Sequence, residues 1–414
     1  MRTLFEANIN VQQTGAVVAA PDVETPGGSY YYHWMRDGAL TMRSVLETTP
    51  DFSHAQALLE SYTKWVLGRQ SATAVNGIDV RIEPKFMIPN GEVFTGAWCR
   101  PQNDGPGLRA TSLVLFANEL LKRGDKDFVL ANLWTGSDGV QKGGAIKHDL
   151  DWVVNGWSTS TCDLWEEVQS TDFFWNRVTM KKAMLIGSTF AQSMGDSASA
   201  ATYAATAKSI DTALAVHWTG TFVTESSNRQ RDGAVFVGFN DGFHASDGRY
   251  APTSVEVAST MNVLNTAFCS EYSINTKDTA AGVPGVLIGR YPGDKYAGGN
   301  PWVLTTAALG QLLYRAASYT LSHGLPSSEA LEQFGAALNV EFPQTAEAAA
   351  EVFAAAGDSV MLRLRKHVGA DGGHLAEQMD RNTGAQMSAE DLTWSYAEVL
   401  NAMHQREVYF ETKR

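Results

Sequence analysis

Residues 301–320 read PWVLTTAALGQLLYRAASYT and give the clearest indication of secondary structure in the chain. Small and apolar residues recur there at helical spacing rather than in alternation: Val303, Ala307, Leu309, Leu312, Leu313 and Ala316. This spacing predicts a helix with one buried face. Similar patterns predict helices over 37–49, 53–69, 107–123, 174–194, 196–217, 254–268, 345–367 and 388–404. Asp196 and Ser388 are predicted N-caps, and Pro301 suits a first helical turn.

Strand patterns are short and isolated, at residues 16–20 and 234–238. No series of alternating strands and helices follows, so a nucleotide-binding sheet is not expected. Further helices are expected within 140–157, 271–287 or 326–336. No linker rich in Pro, Ser or Thr divides the 414 residues. We therefore predict an all-α fold and a single domain over residues 1–414.

Composition limits the partners of the chain. A formal net charge of −13 argues against nucleic acids and anionic membranes, which require basic surfaces. The sequence contains no run of about 18 apolar residues of the kind that crosses a membrane. We expect a neutral substrate and a monomeric protein that needs neither a metal nor a cofactor. Cys99, Cys162 and Cys269 lack zinc-site spacing, and either a Cys99–Cys162 disulfide or three buried thiols would fit the sequence.

Five loop clusters combine aromatic, cationic and carboxylate residues. They are Tyr30–Asp37, Trp98–Pro106, Asp163–Glu167, Gly289–Asp294 with Gly299–Trp302, and Ala376–Gln378 with Leu392–Tyr396. All but the last end close to a predicted helix start, so helix entries on one side of a helical barrel could form one pocket. Aromatic faces stack on the C–H surfaces of sugars.

Glycosidic cleavage needs one protonated and one ionised carboxyl group. The adjacent Glu166 and Glu167 could raise the pKa of one member of the pair by mutual repulsion. Taken singly, each cluster has an ordinary explanation: Glu166-Glu167 as a solvated helix start, Glu377 as a surface residue, and Arg290 as a loop anchor. Arg36-Asp37 could likewise be a local ion pair.

Taken together, the five clusters resemble glycoside hydrolase family 15, the glucoamylases, and most closely its fungal and yeast members. The resemblance runs from about Gly15 to Arg406, with the clusters in the order found in the family. The resemblance implies an (α/α)6 barrel, a six-hairpin toroid, whose first helix is truncated in this chain. It also implies that no starch-binding domain follows Arg414.

The resemblance assigns roles to individual residues. It implies that Glu166 is the general acid and Glu377 the general base, that Arg36 and Asp37 bind the terminal glucose, and that Arg290 is a second sugar-binding arginine. Glu167 matches a carboxylate that binds the next sugar. The remaining matched positions line the pocket: Tyr30 near the attacking water, and Trp34, Trp98, Arg100, Leu164, Trp165, Trp302 and Trp394 in its walls.

The implied activity is exo-acting, inverting hydrolysis of terminal α-1,4-linked glucose, and more slowly of α-1,6-linked glucose. The substrates would be starch, glycogen and maltooligosaccharides, and the product β-D-glucose. The alternatives are a glucodextranase activity, a trehalase-like activity, or a catalytically inactive domain with a glucan-binding or regulatory role. His33 and Cys162 depart from the fungal pattern, which leaves substrate preference near those positions open. Family members are typically secreted, although no signal peptide opens this chain.

Overall fold

The computed structural model describes residues 1–25, 28–135 and 143–414. The described residues form two compact units. We call residues 5–24 with 28–214 the N-terminal unit, and residues 215–414 with 1–4 and 25 the C-terminal unit. The prediction of a single domain is not tested by this division and stays a prediction.

Helices dominate the N-terminal unit, and one short helix at the chain start straddles the boundary between the units. They are α1 (Arg2–Ala7), α2 (Met35–Thr48), α3 (Phe52–Gln70), α4 (Asp104–Lys122), α5 (Lys126–Phe128), α6 (Gly144–Gly156), α7 (Phe174–Ser193) and α8 (Ser197–Leu214). Two antiparallel ribbons accompany them: β1 (His33–Trp34) with β2 (Lys85–Phe86), and β3 (Thr161–Cys162) with β4 (Gln169–Ser170). Helix α4 packs against α2, α6 and α7.

The C-terminal unit contains α9 (Ala234–Asp241), α10 (Val255–Glu271), α11 (Ser273–Ala280), α12 (Val303–His323), α13 (Ser328–Leu338), α14 (Ala346–Val368) and α15 (Thr393–Lys413). Its ribbon pairs β5 (Gln378–Met379) with β6 (Gln386–Met387). Helix α12 is buried over its first three turns and packs against α9, α14 and α15. The helix predicted from residues 301–320 is therefore confirmed and is central to this unit.

Most predicted helices are observed within a few residues of their expected bounds. The three further stretches expected to contain helices hold α6, α11 and α13. Asp196 caps α8 as predicted, because its carboxylate accepts from the Ser199 backbone N–H at 3.0 Å. Among the helices described, none combines the length and apolarity that crossing a bilayer requires.

Four local predictions are wrong. Residues 16–20 form no strand, only an isolated bridge between Val17 and Ile9. Residues 234–238 belong to α9, which is buried on every side, and a short apolar run does not distinguish such a helix from a strand. Ser388 does not cap α15, because the helix begins at Thr393 and Ser388 lies in a loop with φ +67°. Pro301 precedes α12 and forms a bridge with Gly289 instead of the first turn.

Candidate active site

Two short elements of the N-terminal unit position the first group of predicted site residues. Strand β1 ends at Trp34 and helix α2 begins at Met35, so Arg36 and Asp37 lie in the buried first turn of that helix. Glu166 lies in the turn between β3 and β4, where its backbone N–H donates to the Asp163 carbonyl at 3.1 Å. Its φ of +63° is in the left-handed region that side chains rarely occupy.

The Glu166 carboxyl group accepts four hydrogen bonds from the protein. Its Oε1 accepts from Gln102 Nε2 at 2.7 Å, Trp34 Nε1 at 2.9 Å and Arg36 Nη2 at 3.2 Å. Its Oε2 accepts from Trp98 Nε1 at 2.9 Å. A carboxylate oxygen offers about two lone pairs, so Oε2 is the oxygen with capacity left for a proton. The donors fix the group in place and would stabilise the negative charge that remains once that proton has left.

Arg36 connects Glu166 to two further carboxylates. Its Nη1 donates to Gln102 Oε1 at 3.0 Å and to Asp104 Oδ2 at 3.3 Å, and its Nε lies 3.8 Å from Asp37 Oδ2. Burial, the largest influence, lowers the pKa of Arg36, but the charges of these carboxylates outweigh burial and raise it. The guanidinium therefore stays charged in a site that excludes most water.

Asp37 is 6% exposed, and its position is costly for a charged group. Burial raises the pKa of Asp37 from 3.8 to about 7; Arg36 opposes this rise, and the charge of Glu166 adds to it. Hydroxyl groups that donate to Asp37 would restore the solvation that burial removes. The carboxyl group is thus suited to accept hydrogen bonds from a neutral polyol.

Glu377 is held in the C-terminal unit immediately before β5. Its Oε2 accepts from Ser388 Oγ at 2.6 Å and from Gln378 Nε2 at 2.8 Å, and the residue is 1% exposed. Its backbone carbonyl accepts from the Val303 N–H at 3.1 Å, which ties it to the start of α12. These two donors and the contact with Val303 hold the Glu377 carboxyl group in a fixed position.

Arg290 is buried and forms a two-point ion pair within its own loop. Its Nε and Nη2 donate to the two carboxylate oxygens of Asp294 at 2.8 and 2.6 Å. The guanidinium carbon also lies 4.9 Å from the ring centre of Tyr296 and 5.5 Å from that of Trp302. Trp302 in turn forms a bridge with Gln378, next to Glu377. Trp394 is 5% exposed in the first turn of α15.

The remaining predicted positions have varied surroundings. Tyr30 contacts Trp34 with ring centres 5.8 Å apart, Leu164 and Trp165 are buried, and Glu167 is exposed. Arg100 directs its guanidinium into the protein, with Nε donating to Glu83 Oε2 at 2.8 Å and Nη1 to the Gly96 carbonyl at 2.9 Å. Its contacts support the loop that carries Trp98.

His33 lies in the core of the N-terminal unit. It is 1% exposed, and its Nδ1 lies 3.0 Å from the Val17 carbonyl oxygen. Burial lowers the pKa of His33 to about 3, so the ring is neutral. Its surroundings are protein groups such as Tyr62 and Trp65.

The structure adds site residues that the sequence reasoning did not assign. Gln102, Asp104, Asp294 and Gln378 all lie inside the quoted clusters, so their proximity to assigned residues was the available signal. Ser388, a predicted helix cap, instead donates to the Glu377 carboxyl group. These residues position the charged groups described above.

A disulfide between Cys99 and Cys162 joins two segments of the site, with the Cα atoms 6.0 Å apart. The alternative of three buried thiols is therefore wrong, and Cys269 is free and exposed. Trp98 precedes one cysteine, and the turn that carries Glu166 follows the other. The bridge thus links the Trp98 donor to the Glu166 acceptor.

Sequence and structure comparisons converge on one family. The model of Glycosyl hydrolases family 15 matches residues 5–404. Glucoamylase from Blastobotrys adeninivorans is 33% identical over 97% of this chain and 69% of that protein. Glucoamylase 1 from Rhizopus oryzae is 33% identical over 96% of this chain and 68% of that protein.

Solved structures show the same relationship. The family 15 glucoamylase from Hypocrea jecorina superposes with a TM-score of 0.86 at 28% identity, covering 98% of this chain and 70% of that one. The glucoamylase from Saccharomycopsis fibuligera superposes with a TM-score of 0.84 at 26% identity, covering 99% of this chain and 93% of that one. The predicted all-α fold of (α/α)6 barrel type is confirmed.

Asp37→Asn should change how stability depends on pH. A carboxyl group with a raised folded-state pKa binds its proton more tightly in the folded than in the unfolded chain. The parent protein therefore loses stability as the pH rises from about 4 to about 7, by at most about 4 kcal/mol, whereas the variant lacks this loss. Urea unfolding of both proteins at several pH values between about 4 and 8 measures the difference. Asp127→Asn, at an exposed position, is the control. Parallel pH curves for Asp37→Asn and the parent would contradict this account.

Replacing Cys99 and Cys162 together by Ala should lower both stability and activity. Removing a disulfide that closes a long loop costs about 2–5 kcal/mol, and Trp98 would lose part of its support beside Glu166. Thermal unfolding and initial rates on maltose measure the two effects. Cys269→Ala should match the parent in both, because that thiol is exposed and unbridged. Unchanged rates in the double variant would show that the bridge does not support the site.

Proposed function

Because the chain belongs to glycosyl hydrolase family 15 and is therefore a glycoside hydrolase, we propose that it releases single glucose units from the non-reducing ends of α-glucans with inversion. Its substrates would be starch, glycogen and maltooligosaccharides, with α-1,4 links cleaved faster than α-1,6 links. The curated relatives named above are glucoamylases, which supports a glucan substrate.

The observation that carries the proposal is the set of four donors on Glu166. In the proposed reaction, Glu166 transfers a proton from Oε2 to the glycosidic oxygen as the bond from that oxygen to C1 breaks. The electron pair of that bond leaves with the oxygen. The charge left on Glu166 is stabilised by Arg36, Gln102 and the two indole N–H groups, which already point at the carboxyl group.

Glu377 would act on the water that attacks from the opposite face of the sugar. It takes one proton from the water while the water oxygen forms a bond to C1. Gln378 and Ser388 hold the Glu377 carboxyl group in place for this step. The proposal requires about 6.5–9.5 Å between the Glu166 and Glu377 carboxyl groups, enough for one water molecule.

Buried charges would bind the terminal glucose. Asp37 would accept from sugar hydroxyl groups, and Arg36 and Arg290 would donate to hydroxyl oxygens. The exposed Glu167, next in sequence to the acid, would bind the following sugar. A site of this kind holds the end of a chain rather than its middle, which explains exo action.

Proton NMR of maltotriose hydrolysis tests the reaction. Inversion at an α-linkage should give β-glucose as the first product, and its anomeric signal should precede that of the α-anomer formed by mutarotation. Parallel digestion of isomaltose and trehalose separates glucoamylase activity from glucodextranase and trehalase-like activities. Initial release of α-glucose would refute inversion, and preferred cleavage of trehalose would refute the assigned substrate.

Two conservative variants separate the acid from the base. Glu166→Gln should lose about 10²–10⁴-fold on maltose, yet retain most activity on α-glucosyl fluoride, because fluoride departs with little help from an acid. Glu377→Gln should lose activity on both substrates, since water activation is needed in either case. Glu92→Gln, at an exposed position, is the control. Similar losses on both substrates for Glu166→Gln would show that it is not the acid.

A further inference from the structure

Lys85 is a buried lysine that the reaction described above does not use. It lies in β2 directly opposite Trp34 of β1, and it is 2% exposed. Residues directly opposite each other in an antiparallel pair present their side chains to the same face of the ribbon. The Lys85 side chain therefore extends along the same face as the Trp34 indole.

Four aromatic rings enclose the Lys85 ammonium. Its Nζ lies 3.3 Å from the ring centre of Trp98, 4.1 Å from that of Phe94, 4.5 Å from that of Trp34 and 4.6 Å from that of Tyr32. A cation within about 6 Å of a ring centre is attracted by the negative face of the ring, and burial strengthens that attraction. We call these four rings the Lys85 cage.

Two rings of the Lys85 cage are also donors to the proposed acid. Trp34 donates to Glu166 Oε1 and Trp98 to Oε2, each at 2.9 Å. The two indoles pack edge to face with ring centres 5.8 Å apart. Each indole thus has the ammonium against its ring and the carboxyl group at its N–H, so a shift of the cation would move both donors.

The charge of Lys85 persists through the acidic and neutral range. Burial lowers the pKa of Lys85 to about 8, while the charge of Glu166 raises it and that of Arg100 lowers it further. Other charged or titratable groups surround the cage and Glu166: Tyr30, Tyr32, Arg36, Asp37, Glu83 and Asp104. Glu83 is already paired with Arg100, and Asp104 with Arg36.

We propose that Lys85 is a positioning residue for the acid step: its ammonium holds the Trp34 and Trp98 indoles in the orientation in which both donate to Glu166. The inference rests on the proposed role of Glu166 as the proton donor. Through the two indoles, the cation stabilises the carboxylate that forms as the proton leaves. In this role Lys85 acts through the two indoles and does not itself transfer the proton.

Lys85→Met tests this role, because methionine fills the cage with an unbranched chain that packs well against aromatic rings but carries no charge. Turnover of maltose should fall about tenfold with KM changed less than about twofold, since only the acid step is affected. The decline of kcat on the alkaline side, its alkaline limb, should shift to a pH about half a unit higher. The reason is that the loss of a nearby cation favours the protonated carboxyl group. Turnover of α-glucosyl fluoride should stay near the parent value.

Two further variants and one control accompany this test. Lys85→Arg keeps the charge and should restore the position of the alkaline limb. Phe94→Leu removes one ring of the cage that does not donate to Glu166. It should give a smaller loss of maltose turnover while turnover of α-glucosyl fluoride is retained. This variant also replaces Lys85→Met as the test if Lys85→Met does not fold. Lys122→Met, at a side chain 73% exposed, should match the parent.

The possible outcomes are distinct. Parent-like maltose turnover in Lys85→Met, or equal losses on maltose and the fluoride in a folded variant, would overturn the role of Lys85. If Lys85→Met does not fold, a Phe94→Leu variant without selective loss on maltose would overturn it. Failure of Glu166→Gln to retain fluoride hydrolysis would instead overturn the proposed function itself.

Discussion

The four hydrogen bonds to the Glu166 carboxyl group organise much of the N-terminal unit. Their donors come from the end of β1, the first turn of α2 and the segment that leads into α4, and Glu166 is 130 positions from Arg36. Each donor is useful only where its backbone places it within about 3 Å of one acceptor. The ribbon of β1 with β2, the start of α2 and the Cys99–Cys162 bridge all contribute to that placement.

This arrangement buries several charged groups, and nearby groups of opposite charge balance them. Arg36 contacts three carboxylates, Arg290 pairs with Asp294, and Arg100 pairs with Glu83. Removing a charged group from water costs several kcal/mol, which only close pairing and hydrogen bonding offset. Asp37 is the least balanced of these groups, and its raised pKa reflects this. A sugar that supplied hydroxyl donors to Asp37 would complete the balance, so the proposed substrate binding would also solvate this carboxyl group.

The sequence predicted the long helices well because small and apolar residues recur in them at helical spacing over many residues. Helix α12 lies within a few residues of the stretch that indicated it, and α6, α11 and α13 lie in the further stretches where helices were expected. It failed for α9, because a short apolar run does not distinguish a buried helix from a strand. The predicted site residues came from the resemblance of whole clusters to a family, since no single cluster was specific.

Partners that are distant in sequence could not be predicted from local patterns. The Arg36–Asp104 pair spans 68 positions, and Ser388 bonds to Glu377 rather than capping a helix. Lys85 had no local signal at all, because a lone lysine in a strand is ordinarily exposed. Its surroundings become apparent only when Phe94 and Trp98 fold back onto the ribbon of β1 with β2.

The left-handed backbone of Glu166 has a consequence for protein engineering. A side chain in that conformation costs about 1–2 kcal/mol, a cost that glycine would avoid. The backbone is thus in an unfavourable conformation at the residue to which the chemistry is assigned. A search for heat-resistant sequences that ranked substitutions by folding energy alone would select against this glutamate, so thermostabilising libraries should hold position 166 constant.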